Sequence, residues 1–338
     1  MPQVAVIILN WNGKDLLQQF LPSIVSHTSA DIADVIVADN GSTDGSVEML
    51  AREFPSVKVM PFPENYGFAE GYNRAIREIA DKYPYTVLLN SDVEATTDWL
   101  TPLWQYMEAN PDVAAVQPKI LAQRCPEMFE YAGAAGGFLD RNGYPYCRGR
   151  IFDTLEKDNG QYDGAPLDIH WASGAALMVR TADYLAVGGL DPAFFAHMEE
   201  IDLCWRLRLS GKRVVAITAP GAEVRHVGGA TLPQGNPRKV YLNFRNNLLM
   251  MWKNLPARTR GRSLFRRQIL DGIAALKMLL AGDTKSFRAV IKAHKDYRKL
   301  RPTLTDSHAQ TDLLKGNVNI LTAYYLHHRT TFPNLRNR

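Results

Sequence analysis

Three clusters of side chains in this sequence have types and spacings suited to chemistry. The first is Val87-Leu88-Leu89-Asn90-Ser91-Asp92-Val93-Glu94, an apolar run that stops at oxygen-bearing residues. Asn90, Asp92 and Glu94 are hard donors of the kind that hold Mg²⁺ or Mn²⁺. The plainer reading is a strand leading to a helix cap, since Thr96, Thr97 and Asp98 precede a helical-looking stretch from Trp99 to Glu108. The second cluster, Glu199-Glu200-Ile201-Asp202, follows the aromatic run Phe194-Phe195-Ala196-His197 and opens a helical pattern that Gly211 ends. Acids in a first turn gain about 0.3–1 kcal/mol each from the helix dipole, and Asp202 is spaced to pair with Arg206. That accounts for Asp202. Two adjacent glutamates behind an aromatic run are also suited to general-base work if one faces a crevice. The third is His226, in Val224-Arg225-His226-Val227-Gly228-Gly229; a lone histidine at a strand end is otherwise a satisfied polar group.

The elements around these residues read as a doubly wound α/β fold. Val4 to Leu9 is a buried-type strand ending in Asn10-Trp11-Asn12-Gly13, followed by a helical stretch from Lys14 to His27. Val35 to Ala38 ends in Asp39-Asn40-Gly41-Ser42-Thr43-Asp44-Gly45-Ser46, and Val57 to Met60 leads to Asn65-Tyr66-Gly67-Phe68-Ala69 and a helix running to about Asp81. Polar residues therefore gather at one end of successive strands, where open α/β sheets bind ligands. A G-x-G-x-x-G turn is missing after the first strand, and no G-x-x-x-x-G-K-[ST] loop occurs, which excludes a dinucleotide fingerprint and a P-loop. Residues 124–168 show little periodicity and read as loops or a small β-ribbon over the crevice. A Gly174-led turn then enters a strand, and Lys239 to Asn254 reads as a helix whose Arg245 and Lys253 face either a diphosphate or solvent.

With 338 residues, the chain suits one large domain plus an extension. Cys125, Cys147 and Cys204 form no C-x-x-C pair, which argues against a disulfide framework or zinc site and for a reducing compartment. Met1 to Asn10 lacks the marks of a secretory signal, and no apolar run is long enough to span a bilayer. The net charge of +4 is uneven. Residues 257–338 carry 17 Lys/Arg against 5 Asp, a local +12, which leaves −8 on the remainder.

In order and in type, these motifs resemble the inverting glycosyltransferases of family 2, with the GT-A fold, and more narrowly the bacterial rhamnosyltransferase-type branch. The matching residues are Asn10-Trp11-Asn12-Gly13, Asp39 to Ser46, Asn65 to Ala69, Leu89-Asn90-Ser91-Asp92, Gly174-Ala175, Glu199 to Leu203 and His226-Val227-Gly228, spanning roughly residues 4 to 254. The resemblance implies a Rossmann-like, mostly parallel sheet flanked by helices over residues 1–256, and a basic helical extension over 257–338. It implies a nucleotide-sugar donor, dTDP-rhamnose or a UDP-sugar, held by Asn10, Asn12, Asp39, Asn65, Gly67, Asn73, Asn90 and Ser91. Asp92 and His226 would hold Mg²⁺ or Mn²⁺, Glu200 would be the general base with Glu199 as the alternative, and Trp171, Gly174, Ala175 and Arg245 would meet the acceptor or diphosphate. Two departures from the family pattern are Asn90 for the first Asp of the D-x-D element and Glu200 for the usual Asp.

The implied acceptor is a saccharide or lipid-linked hydroxyl in bacterial surface polysaccharide synthesis, with cytoplasmic chemistry at the inner face of the membrane. The rival class is a non-catalytic nucleotide-sugar or glycan-binding module of the same fold. In the tail, Phe265, Ile269, Ile273, Leu276 and Leu280 fall on one helical face, and Phe287, Ile291, His294 and Tyr297 begin a second. Such faces either pack on the body or touch an anionic membrane surface. Nucleic acid is disfavoured, because aromatic residues are not interleaved with the bases and the body is acidic.

Overall fold

The computed structural model of the protein describes residues 2–228 and 236–336. The chain begins with β1 (Val4–Asn10), α1 (Lys14–Ser26), β2 (Ala33–Asp39), α2 (Ser46–Glu53), β3 (Lys58–Pro61), α3 (Gly67–Ile79) and β4 (Tyr85–Leu89). A short β5 (Val93–Ala95), α4 (Thr101–Ala109), a long β6 (Val113–Ala122) and β7 (Cys125–Phe129) follow. Next come β8 (Gly137–Leu139), β9 (Pro145–Cys147), β10 (Arg150–Ile151), β11 (Thr154–Leu155) and β12 (Leu167–Asp168). The body continues through β13 (Ala176–Arg180), α5 (Thr181–Ala186), α6 (Glu199–Leu209), β14 (Arg213–Ile217), β15 (Glu223–His226) and α7 (Pro237–Asn254). The extension contributes α8 (Ala257–Leu280), α9 (Thr284–Leu300) and α10 (Phe332–Arg336).

The main sheet runs β12-β14-β6-β13-β4-β1-β2-β3. Pairs β1–β2, β1–β4, β2–β3 and β6–β14 are parallel, whereas β13 is antiparallel to both β4 and β6. Alternate residues of β1 face different layers: Ala5 and Ile7 belong to one apolar core, Val4, Val6 and Ile8 to the other. A sheet covered on both faces needs such unbroken apolar runs, which is why β1 and β4 carry no charge. Strand order reverses between β1 and β4, so the crevice opens at their carboxyl ends, beside Asn10 and Asn90.

Residues 124–168 form β7 and a separate sheet of order β11-β10-β9-β8, so the expected ribbon is present. The helix expected from Trp99 to Glu108 is α4 (Thr101–Ala109), and the unexpected β5 ahead of it pairs antiparallel with β15. The tail packs on the body and also leaves an apolar face open. Leu264, Tyr297, Leu314, Ile320 and Phe332 belong to the body's core, and Arg267 donates to Asp271 at 2.7 Å while lying 3.8 Å from the ring of Tyr144. On the other side of α8, Phe265, Ile269, Ile273, Leu276 and Leu280 are exposed, Leu280 by 80%.

Candidate active site

Amide side chains tie the strand-end loops together. Asn10 is buried and donates from Nδ2 to Asp39 Oδ2 at 2.8 Å and to Ser42 Oγ at 3.1 Å. The other oxygen of Asp39 accepts the Ser42 N–H at 2.9 Å. Asn12, at φ 51°, accepts the Thr43 N–H at 2.8 Å, which links the β1–α1 turn to the β2–α2 loop. Asn40 accepts the Tyr66 N–H at 3.0 Å and donates to Asn65 Oδ1 at 2.9 Å and to the Gly67 carbonyl at 3.1 Å. Gly67 sits at φ 78°, a conformation glycine adopts without strain. Asn10, Asn12, Asn65, Gly67, Asn90 and Ser91 line one cleft with the exposed Trp11. Asp39 lies buried beneath them.

Two expected site residues are used elsewhere. Asn73 is buried away from the cleft lining and spends its amide on the Leu190 backbone and the Tyr184 hydroxyl. Arg245 turns inward, donating to the carbonyls of Ala193 at 3.2 Å and Phe194 at 2.8 Å. Lys253 is likewise buried and bridges Asp191 and Asp202.

β-pairing brings His226 against Asp92. His226 stands opposite Val93 in the β15–β5 register, and the Val227 N–H bonds the Asp92 carbonyl at 3.2 Å. His226 Nε2 therefore lies 3.1 Å from Asp92 Oδ1 and 3.2 Å from Asn90 Nδ2. On its other side Nδ1 is 3.5 Å from Glu130 Oε1 and has no hydrogen-bond partner. Burial alone would lower the histidine's pKa, but Asp92 and Glu130 outweigh it and raise it to about 10, so this spot favours positive charge. Among the described residues, no group of three or more His, Cys, Asp or Glu is arranged to enclose a metal ion. Two protein ligands fit a Mg²⁺- or Mn²⁺-like ion that completes its shell with substrate phosphates and water. Glu130 lies in an aperiodic stretch with no motif, so nothing in the sequence marks it.

The acidic pair is held by a strained loop. Phe195, His197 and Met198 have φ of 65°, 67° and 74°, and conformations of this kind each cost about 1–3 kcal/mol. Asn246 pins the loop by donating from Nδ2 to the carbonyls of Phe194, Ala196 and His197 at 2.8, 2.8 and 2.7 Å. Asp202 anchors α6 from behind. Burial pushes its carboxyl up, but Arg206 and Lys253 bring it below its ordinary range, and Asn254 donates at 2.7 Å. Asn246→Ala would leave three carbonyls without this partner. It is expected to lower stability by about 1–3 kcal/mol and to reduce turnover more than donor affinity, as checked by denaturant unfolding and steady-state kinetics.

Glu199 and Glu200 both line the cleft, and each has an Oε2 without a hydrogen-bond partner. Burial raises both carboxyls. Glu199 is the deeper of the two and, with the charges of Glu200 and Asp202 added, goes well above the usual range; Glu200, partly relieved by backbone N–H groups, reaches about 7. Glu200 is thus the member that ionises near neutrality. A Cβ on Gly174 would lie 3.6 Å from Glu200 Cβ, and the Asn90 N–H bonds the Ala175 carbonyl at 3.0 Å, so this turn joins the acidic pair to the β4 end. Trp171 is buried in the wall, its Nε1 donating to the Phe138 carbonyl at 3.0 Å. The whole cleft measures about 2050 Å³ and runs from Asn10 past Glu200 to α8.

A doubly wound sheet with an Asp–His pair at its switch point and an unpartnered carboxylate across the same cleft has the layout of a ligand-binding α/β enzyme site. Residues 5–131 match the model of "Glycosyl transferase family 2". The N-acetylglucosaminyl-diphospho-decaprenol L-rhamnosyltransferase of Mycobacterium tuberculosis is 27% identical over 235 residues, covering 65% of this chain and 75% of that protein. Rhamnosyltransferase WbbL of Escherichia coli is 26% identical over 221 residues, covering 64% and 81%. Among solved structures, GalNAc-T7 with UDP, GalNAc and Mn²⁺ superposes with a TM-score of 0.57 at 14% identity, over 75% of this chain and 48% of that one. The Pyrobaculum calidifontis mannosyltransferase PcManGT with GDP-Man and Mn²⁺ gives 0.51 at 17% identity, over 89% and 84%. The chain has the GT-A fold, and its residues 5–131 form a family 2 glycosyltransferase domain.

Proposed function

We propose that this enzyme moves a sugar from a nucleoside-diphosphate donor to a hydroxyl of a saccharide or lipid-linked acceptor, with inversion, in bacterial surface polysaccharide synthesis. The observation that carries the reading is the unpartnered Glu200 carboxylate on the cleft that also holds Asp92 and His226. Asn10, Asn12, Asn65 and Gly67 form the nucleotide floor above Asp39, and the exposed Trp11 offers a stacking face for a base. Asp92 and His226 would hold Mg²⁺ or Mn²⁺, which as a Lewis acid stabilises the charge developing on the departing diphosphate. Glu200 takes the proton of the acceptor hydroxyl as that oxygen attacks the anomeric carbon from the face opposite the leaving group. One displacement inverts the configuration. Burial and the neighbouring acids disfavour the charged form of Glu199, which leaves the proton-accepting role to Glu200.

The closeness to two rhamnosyltransferases favours dTDP-rhamnose over UDP-hexoses as donor. Incubation with labelled dTDP-rhamnose or UDP-sugars, with and without acceptor, tests the reading. Metal-dependent release of sugar supports an enzyme, whereas nucleotide binding with neither transfer nor hydrolysis would leave a binding module.

The tail supplies the membrane side of this reading, with donor chemistry in the cytoplasm. No helix of the described residues is long and apolar enough to cross a membrane. The exposed stripe of α8 is flanked by Arg258, Arg262, Arg266 and Lys277, and Ile273 and Lys277 also line the cleft. An apolar face with a basic border suits the surface of an anionic bilayer. Co-sedimentation with vesicles is expected to rise with anionic lipid content and fall with salt. Equal sedimentation with neutral vesicles, or none, would remove the membrane role.

A further inference from the structure

Two cations on the cleft wall lack a carboxylate partner. The Arg150 guanidinium lies 4.4 Å from the centroid of the Tyr131 ring, and Lys239 Nζ lies 5.9 Å from the same centroid. Arg150 is only 6% exposed, its Nε has no hydrogen-bond partner, and its other nitrogens make long contacts, 3.4 Å to the Phe152 carbonyl and 3.5 Å to Cys147 Sγ. Other buried cations of the described residues have short contacts to acids or carbonyls: Lys119 with Asp158 and Asp163, Lys253 with Asp191 and Asp202, Arg267 with Asp271, Arg148 with the Ala135 carbonyl at 2.9 Å and Arg245 with the Phe194 carbonyl at 2.8 Å. The acid felt by both Arg150 and Lys239 is Glu130, whose carboxylate already accepts the Ala132 N–H and faces His226. Leaving a buried cation unpaired costs several kcal/mol.

The backbone adds to the same positive field. Lys239 lies in the first turn of α7, which begins Pro237-Arg238-Lys239 and has no acidic residue there. Helix starts favour negative charge, so a basic first turn is the reverse of what stability alone would select. Tyr131, Arg150 and Lys239 all line the cleft.

We propose that Arg150, Lys239 and the ring of Tyr131 form a binding site for a phosphoryl anion of the acceptor, distinct from the Asp92–His226 side that meets the donor diphosphate. The proposal rests on the glycosyltransferase reading and specifies its acceptor class. Order along the cleft supports it. Phe152, whose carbonyl Arg150 holds, packs against Tyr324 and Tyr325 at 5.1 and 5.4 Å, and Lys277 lies 5.2 Å from the Tyr325 ring centroid at the edge of the apolar α8 stripe. An acceptor with its sugar at Glu200, its phosphate at Arg150 and Lys239, and an apolar chain toward α8 meets complementary chemistry at each point.

The test uses the full-length enzyme and inorganic pyrophosphate, titrated calorimetrically in EDTA so that metal-assisted binding is silent. The wild type is expected to bind, and Lys239→Gln and Arg150→Gln to weaken binding about tenfold or more each. Both variants are expected to bind UDP or dTDP with Mn²⁺ as the wild type does. Pyrophosphate binding unchanged in Lys239→Gln overturns the site. A parallel loss of nucleoside-diphosphate affinity assigns the cations to the donor and also overturns it. If Arg150→Gln does not fold, Lys239→Gln, at a partly exposed helix start, decides alone. Failure of the wild type to bind any nucleoside diphosphate with Mn²⁺ would instead strike the glycosyltransferase reading.

Discussion

Replacing Glu200 by glutamine is expected to lower turnover by roughly 10²–10⁴-fold, the range associated with a lost general base, while leaving donor affinity nearly intact. Glutamine keeps the size of the side chain and cannot take a proton at neutral pH. The proposed nucleotide floor lies on the loops after β1, β2 and β3, Asp92 between β4 and β5, and His226 at the end of β15, so neither loses a contact. Glu199→Gln is expected to keep most of its turnover, because burial and the charges of Glu200 and Asp202 push that carboxyl well above its ordinary range and disfavour its charged form. Loss of turnover in Glu199→Gln with retention in Glu200→Gln would move the base one residue back. With a Glu200 pKa of about 7, the wild-type rate should rise as pH passes through neutrality and then level, and this step should vanish in Glu200→Gln. Stability responds with the opposite sign. The folded-state pKa lies above the unfolded one, so folding favours the protonated carboxyl; the cost is absent below the unfolded pKa and complete above about 7. Glu200→Gln should therefore melt higher than the wild type at pH 8 and lose that advantage by pH 4.5. Melting curves of equal offset at both pH values would show that Glu200 is not desolvated in the folded enzyme.

Asp92→Ala is expected to bring nucleoside-diphosphate affinity in Mn²⁺ down to its value in EDTA, and to cut transfer by on the order of 10³-fold or more, given several kcal/mol of Lewis-acid stabilisation. Asp92 is the carboxylate at the β4 end that meets His226, and Asn90 supplies no charge to replace it. His226 keeps Glu130 nearby, so the β5–β15 pairing should survive and circular dichroism should be unchanged. Calorimetry with UDP or dTDP separates the outcomes. Equal wild-type affinity in EDTA and in Mn²⁺ would remove the metal role of Asp92.

The sequence by itself determined the alternating strand–helix order and the mostly parallel sheet, and it marked the two acidic clusters that line the cleft. Those features are local. Unbroken apolar runs such as Val4 to Leu9 require a sheet covered on both faces, and polar residues at strand ends require a ligand-bearing edge. The spacing of Asp202 and Arg206 within one helix was readable for the same reason. Tertiary structure decided which polar side chains reach the cleft. Asn73 and Arg245 have the residue types of ligand contacts, yet each meets backbone carbonyls brought from distant positions, Leu190 for the first, Ala193 and Phe194 for the second. Glu130 carries no motif and gains its place only because β15 lies parallel to β6 and antiparallel to β5, setting His226 between it and Asp92. The difference in burial between Glu199 and Glu200 was likewise not readable from two chemically identical neighbours in the sequence. Helical periodicity placed the apolar face of α8 correctly, but periodicity is the same for a face turned to a core and one turned outward. Packing resolved it: Leu264 joins the body's core and Ala275 is buried, whereas Phe265, Ile269, Ile273, Leu276 and Leu280 remain exposed.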